Sequence, residues 1–340
     1  MGGFRAAVPK ILSGALAELD CRGILCAVNC AGSISTYSAG IFSADSHAQP
    51  FPIYSITKTF TAVAVLLLEE SQGPFLDRAA AELIPDTPVP PVVTVRQLLN
   101  HTGGLSDYFA SSAYREDVRA DPSNPWTFDR LLRVGLAGTP LFPPGEGWAY
   151  SNPGYMLLNL LIERLSGVPF QDFVARAILQ PLALGETRAF LTPDSGGVFL
   201  AAEEPSPGGD YLRRYAPGWI GPGCLISTVS DLVRFFDGLF AGKLVGPEAL
   251  AEMTAAVPVP VPPRDGIEAS MGLGLMHGRH DPLGEGYGHG GGGPGYTTYA
   301  VCYPGRAGNL SVSLVVNRSL PATPFAIAER IVSAVRQSLP

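Results

Sequence analysis

Charge is scarce in this chain, and lysine scarcer still. Only 16% of the 340 residues are charged, and lysine occurs three times, at Lys10, Lys58 and Lys243. The net charge is −7, with no cluster of Lys or Arg. A surface that tracks phosphates is therefore not expected, nor is nucleic-acid binding. Long apolar runs are missing too. The stretch from Phe60 to Leu68 falls far short of the roughly 20 residues that cross a bilayer, so no membrane span is expected. The first residues, to Asp20, read as an amphipathic helix interrupted by Lys10 and Glu18. They lack an apolar signal core with a cleavage site, which points to a cytoplasmic protein.

Cysteine is sparse as well. Five residues, an odd number without any C-x-x-C, do not make a disulfide framework in a chain of this length. Cys26 and Cys30 fall on one face of the strand-like run Ile24 to Cys30, with Cys21 just before it, and read as reduced core thiols. No G-x-S-x-G occurs, which argues against the strained serine elbow of an α/β-hydrolase. No H-E-x-x-H occurs either. His277, His280, Asp281 and His289 lie close in sequence, but no regular element fixes their spacing, so they read as loop or surface histidines, and neither metal nor cofactor is expected.

What the chain does have is 46% hydrophobic residues, 40 Gly and 32 Pro, the composition of compact elements joined by many turns. After the first helix come two strand-like runs, Gly23 to Ala31 and Ser33 to Ile41, and then a helix from 55 to 70 whose middle is apolar on every face. Pro and Gly then break the chain into short helices. Thr94 caps Val95 to Asn100, Thr127 caps Phe128 to Val134, Asn152-Pro153 opens a helix closing at Gly167, and Pro169 opens Phe170 to Leu179. Thr228-Val229-Ser230-Asp231 resembles a capping box, with Asp in place of Glu, before a helix from Leu232 to Phe240. Strands from Thr297 to Tyr303 and Leu310 to Val316 precede a last helix from about Ala322 to Gln337.

The pattern predicts an α/β (α+β) fold, an antiparallel sheet flanked by N- and C-terminal helices with an inserted, mostly helical lobe. Residues 1–72 and 216–340 would form a discontinuous α/β domain, residues 73–215 the insert, with the active site between them.

Lys58 is the only formal charge between Asp45 and Glu69. Three residues before it stands Ser55, one turn away on the same helix face. Desolvation there favours the neutral amine, which makes the pair a nucleophile and its base. As an ordinary N-cap and a snorkelling lysine the two would carry no chemistry, so other segments must decide. One is Gly145 to Tyr155, where Tyr150 lies two residues before a helix start. The positive end of the dipole and the Lys58 ammonium would favour its phenolate, a proton shuttle. Asn152 reads there as a helix N-cap or a site residue. Another is Gly286 to Tyr296. Its G-x-G-x-x-G precedes Pro294-Gly295, which no helix can follow, so a dinucleotide site is rejected. The glycines instead allow close backbone approach and free N–H groups that can hold an oxyanion.

Together with Leu98 to Leu105 and Gly221 to Thr228, these segments resemble the serine β-lactamase and penicillin-binding-protein superfamily. The likeness is to its class C-like branch, which includes esterases and D-aminopeptidases. The resemblance implies a β-lactamase/transpeptidase-like fold in which Ser55 attacks a carbonyl, Lys58 and Tyr150 handle its proton, and an acyl-enzyme is hydrolysed. It further implies that Asn152, His289, Gly290, Gly291 and Gly292 bind substrate, with the N–H groups of Ser55 and Gly292 as the oxyanion hole. β-Lactam-processing relatives carry Lys-Thr-Gly where this chain has His289-Gly290-Gly291. A neutral histidine cannot hold a carboxylate as an ammonium does, so small esters, amides or peptides are the expected substrates, with β-lactamase or D-Ala-D-Ala carboxypeptidase action as the alternative. A non-catalytic binding module on this fold would be expected to have lost Ser55, Lys58 or Tyr150, and all are present. His101 reads as a helix-end hydrogen-bonding residue and Trp148 as packing beneath the Tyr150 loop.

Overall fold

The structure, a computed structural model, describes residues 3–193, 199–202, 214–260, 269–280, 283–306, 308–322 and 324–338. Strands β1 (Gly23–Cys30) and β2 (Ser33–Gly40) form a hairpin across Ala31-Gly32, both at positive φ, 50° and 84°. Such a turn matches the twist of the strands it joins. On its other edge β1 pairs antiparallel with β11 (Leu310–Val316), and the sheet continues through β10 (Tyr296–Tyr303) and β9 (Gly284–Gly293). Three shorter strands complete it: β8 (Met276–His280), β7 (Ala269–Met271) and β6 (Val257–Pro258). A second small sheet joins β3 (Phe51–Pro52), β5 (Leu225–Ser227) and β4 (Arg188–Ala189).

Both faces of the large sheet are covered, which is why β1 is buried nearly throughout and shows no polar alternation. Ile24, Cys26 and Val28 face a cluster shared with helices Gly3–Glu18 and Phe325–Gln337. Leu25 and Ala27 face the main core, built on helices Thr57–Gln72 and Val229–Phe240. Helix Thr57–Gln72 is buried on every face from Thr57 to Leu66 and exposed only in its last turn: Phe60 stacks on Phe235 at 3.7 Å, and helix Asn152–Ser166 packs opposite. One hydrophobic cluster runs from the sheet through this helix into the short helices beyond it. None of the five cysteines is joined in a disulfide; four are buried and Cys30 is half-buried. Among the described residues no helix is long and apolar enough to cross a membrane.

Several local expectations need correction. The helix expected from residue 55 begins as a 3-10 turn, Tyr54–Ile56, and becomes α-helical only at Thr57, so Ser55 sits in the tight first turn. The cap of helix Asn152–Ser166 is Ser151, whose Oγ accepts from Gly154 N at 3.2 Å; Asn152 is the first helical residue and its side chain is free for other work. Thr228 caps the helix beginning at Val229, not Leu232. Asp231 does not close a capping box. Its carboxylate is one carbon shorter than glutamate and accepts instead from Glu186 N and Thr187 Oγ1. Residues 170–179 divide into an α-helical turn, Phe170–Val174, and a π-helical turn, Ala175–Leu179.

Candidate active site

Ser55 follows a strained residue. Tyr54 has φ of 47°, a conformation costing a non-glycine side chain about 1–2 kcal/mol. Tertiary contacts hold it there: Tyr54 N donates to Cys224 Sγ at 3.2 Å and Tyr54 Oη to Pro294 O at 2.5 Å. Glycines in β9 admit this turn against the sheet. A Cβ on Gly293 would stand 2.3 Å from the Tyr54 ring, and one on Gly291 2.2 Å from Ile53 O, whereas Gly292 faces open space.

Lys58, only 2% exposed, donates to Asn152 Oδ1 at 2.7 Å and lies 3.3 Å from Ser55 Oγ. Its Nζ also stands 4.9 Å from the ring centre of Tyr150 and 5.5 Å from that of Tyr155. Four of the residues singled out in the sequence therefore converge: Ser55, Lys58, Tyr150 and Asn152. Tyr150 Oη is buried and has no hydrogen-bond partner.

The residue that sequence reasoning missed is Asp107. Its Oδ2 accepts from Asn152 N at 2.7 Å and from Asn152 Nδ2 at 2.9 Å. A carboxylate only accepts, so it turns the Asn152 amide nitrogen toward itself and the amide oxygen toward Lys58. Burial pushes the Asp107 carboxyl upward, against its hydrogen bonds from Phe109 and Asn152 and the charge of Lys58. The only signal available was its position two residues beyond Leu105, at the end of a segment already marked by its resemblance.

Residues 101–107 template the whole Tyr150 loop. Gly104 O accepts from Leu141 N, Thr102 O from Gly145 N and His101 O from Ala149 N. His101 Nδ1 accepts from Ser151 N, and Ser106 O from Ser151 Oγ. Gly104, at φ 69°, must be glycine, because a Cβ would lie 2.3 Å from Phe142 O. Trp148 packs edge-on to His101 at 5.8 Å and lies 6.5 Å from Tyr150.

His289 lies on β9, fully buried, with its ring 6.5 Å from that of Tyr150. Its Nδ1 lies 2.6 Å from Gly290 O, and burial pushes its pKa down to about 3, so it carries no charge at neutral pH. His289 and Gly290 do not line the cavity above Ser55, whereas Gly292 does. That cavity holds about 160 Å³, with walls from Tyr54, Tyr108, Phe109, Tyr215, Ile220 and Pro222. Among the described residues lining it, Lys58 carries the only formal charge.

His277 is elsewhere, on β8, stacked on Tyr287 and bonded to Ser270. Asp281 lies outside the described residues, and His280 ends β8. Among the described residues no group of three His, Cys, Asp or Glu side chains is arranged to hold a metal ion.

Solved structures with this architecture include a D-stereospecific amidohydrolase from Streptomyces, with a TM-score of 0.83 and 28% identity over 97% of each chain. A D-amino acid amidase from Ochrobactrum anthropi has a TM-score of 0.81 and 24% identity, covering 98% of this chain and 99% of that one. A penicillin-binding protein of Bacillus subtilis is 33% identical over 267 residues, which is 74% of this chain and 58% of the relative. A D-aminopeptidase of Cereibacter sphaeroides is 28% identical over 66% of this chain, which spans 42% of that protein's length. The beta-lactamase family profile matches residues 20–336. The chain belongs to the beta-lactamase family.

Proposed function

We propose that the protein is a serine hydrolase that cleaves small esters or amides through an acyl-enzyme on Ser55. One observation carries the reading: Lys58 Nζ lies 3.3 Å from Ser55 Oγ while almost fully shielded from water and anchored by Asn152. With Lys58 as the amine, the Ser55 hydroxyl donates across that contact. Oγ attacks the carbonyl carbon as its proton passes to Nζ. The N–H groups of Ser55 and Gly292 receive the oxyanion; Ser55 stands in a first helical turn, where N–H groups lack an intrahelical acceptor. Collapse expels the alcohol or amine, which takes a proton relayed by Lys58 and Tyr150. Water then attacks the acyl-enzyme with the same groups acting in reverse.

The site lies on the seam between the α/β elements (residues 1–72 and 216–340) and the helical insert (73–215). The cavity supports the choice of substrate. Its aromatic and aliphatic walls suit a compact, uncharged acyl group. A histidine that stays neutral and sits outside the cavity offers a substrate carboxylate no cation, which disfavours penicillins and D-Ala-D-Ala peptides. The D-stereospecific amidohydrolase and the D-amino acid amidase among the structural neighbours support the amide arm.

A fluorophosphonate should add once to the intact protein, at Ser55, with no adduct on Ser55→Ala. Equal labelling of both proteins would overturn the assignment. Across p-nitrophenyl acetate, D- and L-aminoacyl p-nitroanilides and nitrocefin, the ester or an anilide should show the highest kcat/KM. Nitrocefin in first place would replace this reading with a β-lactamase.

A further inference from the structure

We propose that His101 is the positioning residue for Tyr150, gripping the phenol's backbone through its own carbonyl on one side and through ring Nδ1 on the other, with the ring's proton on Nε2. The inference rests on the reading of Tyr150 as a proton-transfer group. Tyr150 makes no hydrogen bond through its own hydroxyl, so something else must hold it. The residues on either side of it both end on His101. Ala149 N donates to His101 O at 3.1 Å, and Ser151 N donates to His101 Nδ1 at 3.2 Å. The imidazole also lies against the phenol, ring centres 4.4 Å apart and planes tilted by 36°.

The backbone is strained to achieve this. His101 has φ of 64°, just past the end of helix Val95–Leu99, and is almost fully buried. Strain held in place by tertiary contacts is what a functional constraint leaves behind.

The hydrogen bonds also determine the tautomer. A backbone N–H can only donate, so His101 Nδ1 must be bare and the neutral ring carries its proton on Nε2. That Nε2–H is buried without a partner. His289 is the opposite case: Gly290 O can only accept, so Nδ1 holds the proton and Nε2 is bare. Tyr150 thus packs against two histidines of opposite tautomer. The titratable groups facing His101 are Lys58, His289, Tyr150 and Tyr155. Burial, and then the charge of Lys58, hold the His101 pKa well below the ordinary histidine range, so the Nδ1 acceptor persists at neutral pH.

Two variants and one spectrum test the proposal. His101→Asn puts an amide oxygen on Cγ, where Nδ1 now stands, and asparagine tolerates positive φ. His101→Leu supplies neither. On p-nitrophenyl acetate, His101→Leu should lose roughly tenfold to a hundredfold in kcat with KM within about twofold, the cost of a displaced catalytic group. His101→Asn should recover most of that loss. In wild-type protein labelled with nitrogen-15 histidine, NMR at pH 7 should show His101 protonated on Nε2 and His289 on Nδ1. Wild-type kcat in His101→Leu, no recovery in His101→Asn, or a His101 proton on Nδ1 would each overturn the proposal. The NMR result stands even if His101→Leu fails to fold. A Tyr150→Phe enzyme with full turnover would instead sink the reading of Tyr150 on which the proposal rests.

Discussion

Asp107 should act on turnover through Asn152 alone, and a double-mutant cycle can establish this. Asp107→Ala removes the acceptor that fixes the Asn152 amide at 2.9 Å and leaves Asn152 free to rotate its oxygen away from Lys58. A hydrogen bond to a charged acceptor is typically worth about 1.5–3 kcal/mol, so kcat/KM should fall roughly tenfold to a hundredfold. Asn152→Ala should lose at least as much, because the Lys58 anchor goes as well. In that background Asp107 no longer has a side chain to orient, and the double variant should match Asn152→Ala within about threefold, a coupling of about 1.5–3 kcal/mol. The assay is steady-state hydrolysis of p-nitrophenyl acetate by the four proteins, with thermal unfolding measured in parallel. Asp107 also accepts from Phe109 N at 2.9 Å, capping a short turn, so Asp107→Ala should lower stability by about 1 kcal/mol in both backgrounds. Multiplicative losses in kcat/KM would show that Asp107 acts on the reaction by another route and refute the reasoning.

Lys58→Ala and Tyr150→Phe should each reduce kcat by about a hundredfold or more without unfolding the protein, the lower end of what a general acid or base contributes; wild-type turnover in either clears that residue of its role. Stability should fall on acidification below neutrality. An unfolded histidine takes up a proton near pH 6.5, while buried His289 resists it down to about 3, so its contribution is present above pH 6.5 and is progressively lost as pH falls toward 3. At pH 5.5 that loss is about 1.4 kcal/mol, and urea unfolding of His289→Gln should show a decline from pH 7 smaller by that amount. Gly291→Ala should lower both Tm and activity, since its Cβ would collide with Ile53 O one residue before strained Tyr54. Gly292→Ala, with no atom within 4 Å of its Cβ, should keep its Tm and lose activity only by crowding the cavity.

Local patterns carried much of this into the sequence. Ser55 and Lys58 are three residues apart, so any helical turn brings them together, and the apolar helix behind them announces that the pair is buried. The terminal helices and strands β1, β2, β10 and β11 follow from periodicity and from β-branched and aromatic content. Strands β6 to β9 were hidden for a physical reason. β9 is mostly glycine, which has little strand preference, and it is held by its neighbours and by the turn at Tyr54. Asp107 was invisible because its partner lies 45 residues away and no periodic pattern spans that distance. Asn152 alone leaves a cap and a site residue equally open, since Asn before Pro so often is a cap. The serine beside it took the cap and left the amide to Lys58.

The pairing of β1 with β11 bears on how the chain is made. Cys30 lies opposite Leu310, and every rung between these strands joins residues nearly a whole chain apart. At a synthesis rate of about 5–20 residues per second, the partner of β1 leaves the ribosome roughly 14 to 56 seconds after β1 does. Through that interval the β1–β2 hairpin presents an unpaired, apolar strand edge to solvent or to any neighbouring chain. Yield during expression should therefore respond to chaperone supply and to slower, cooler growth more than to changes in the stability of the finished fold.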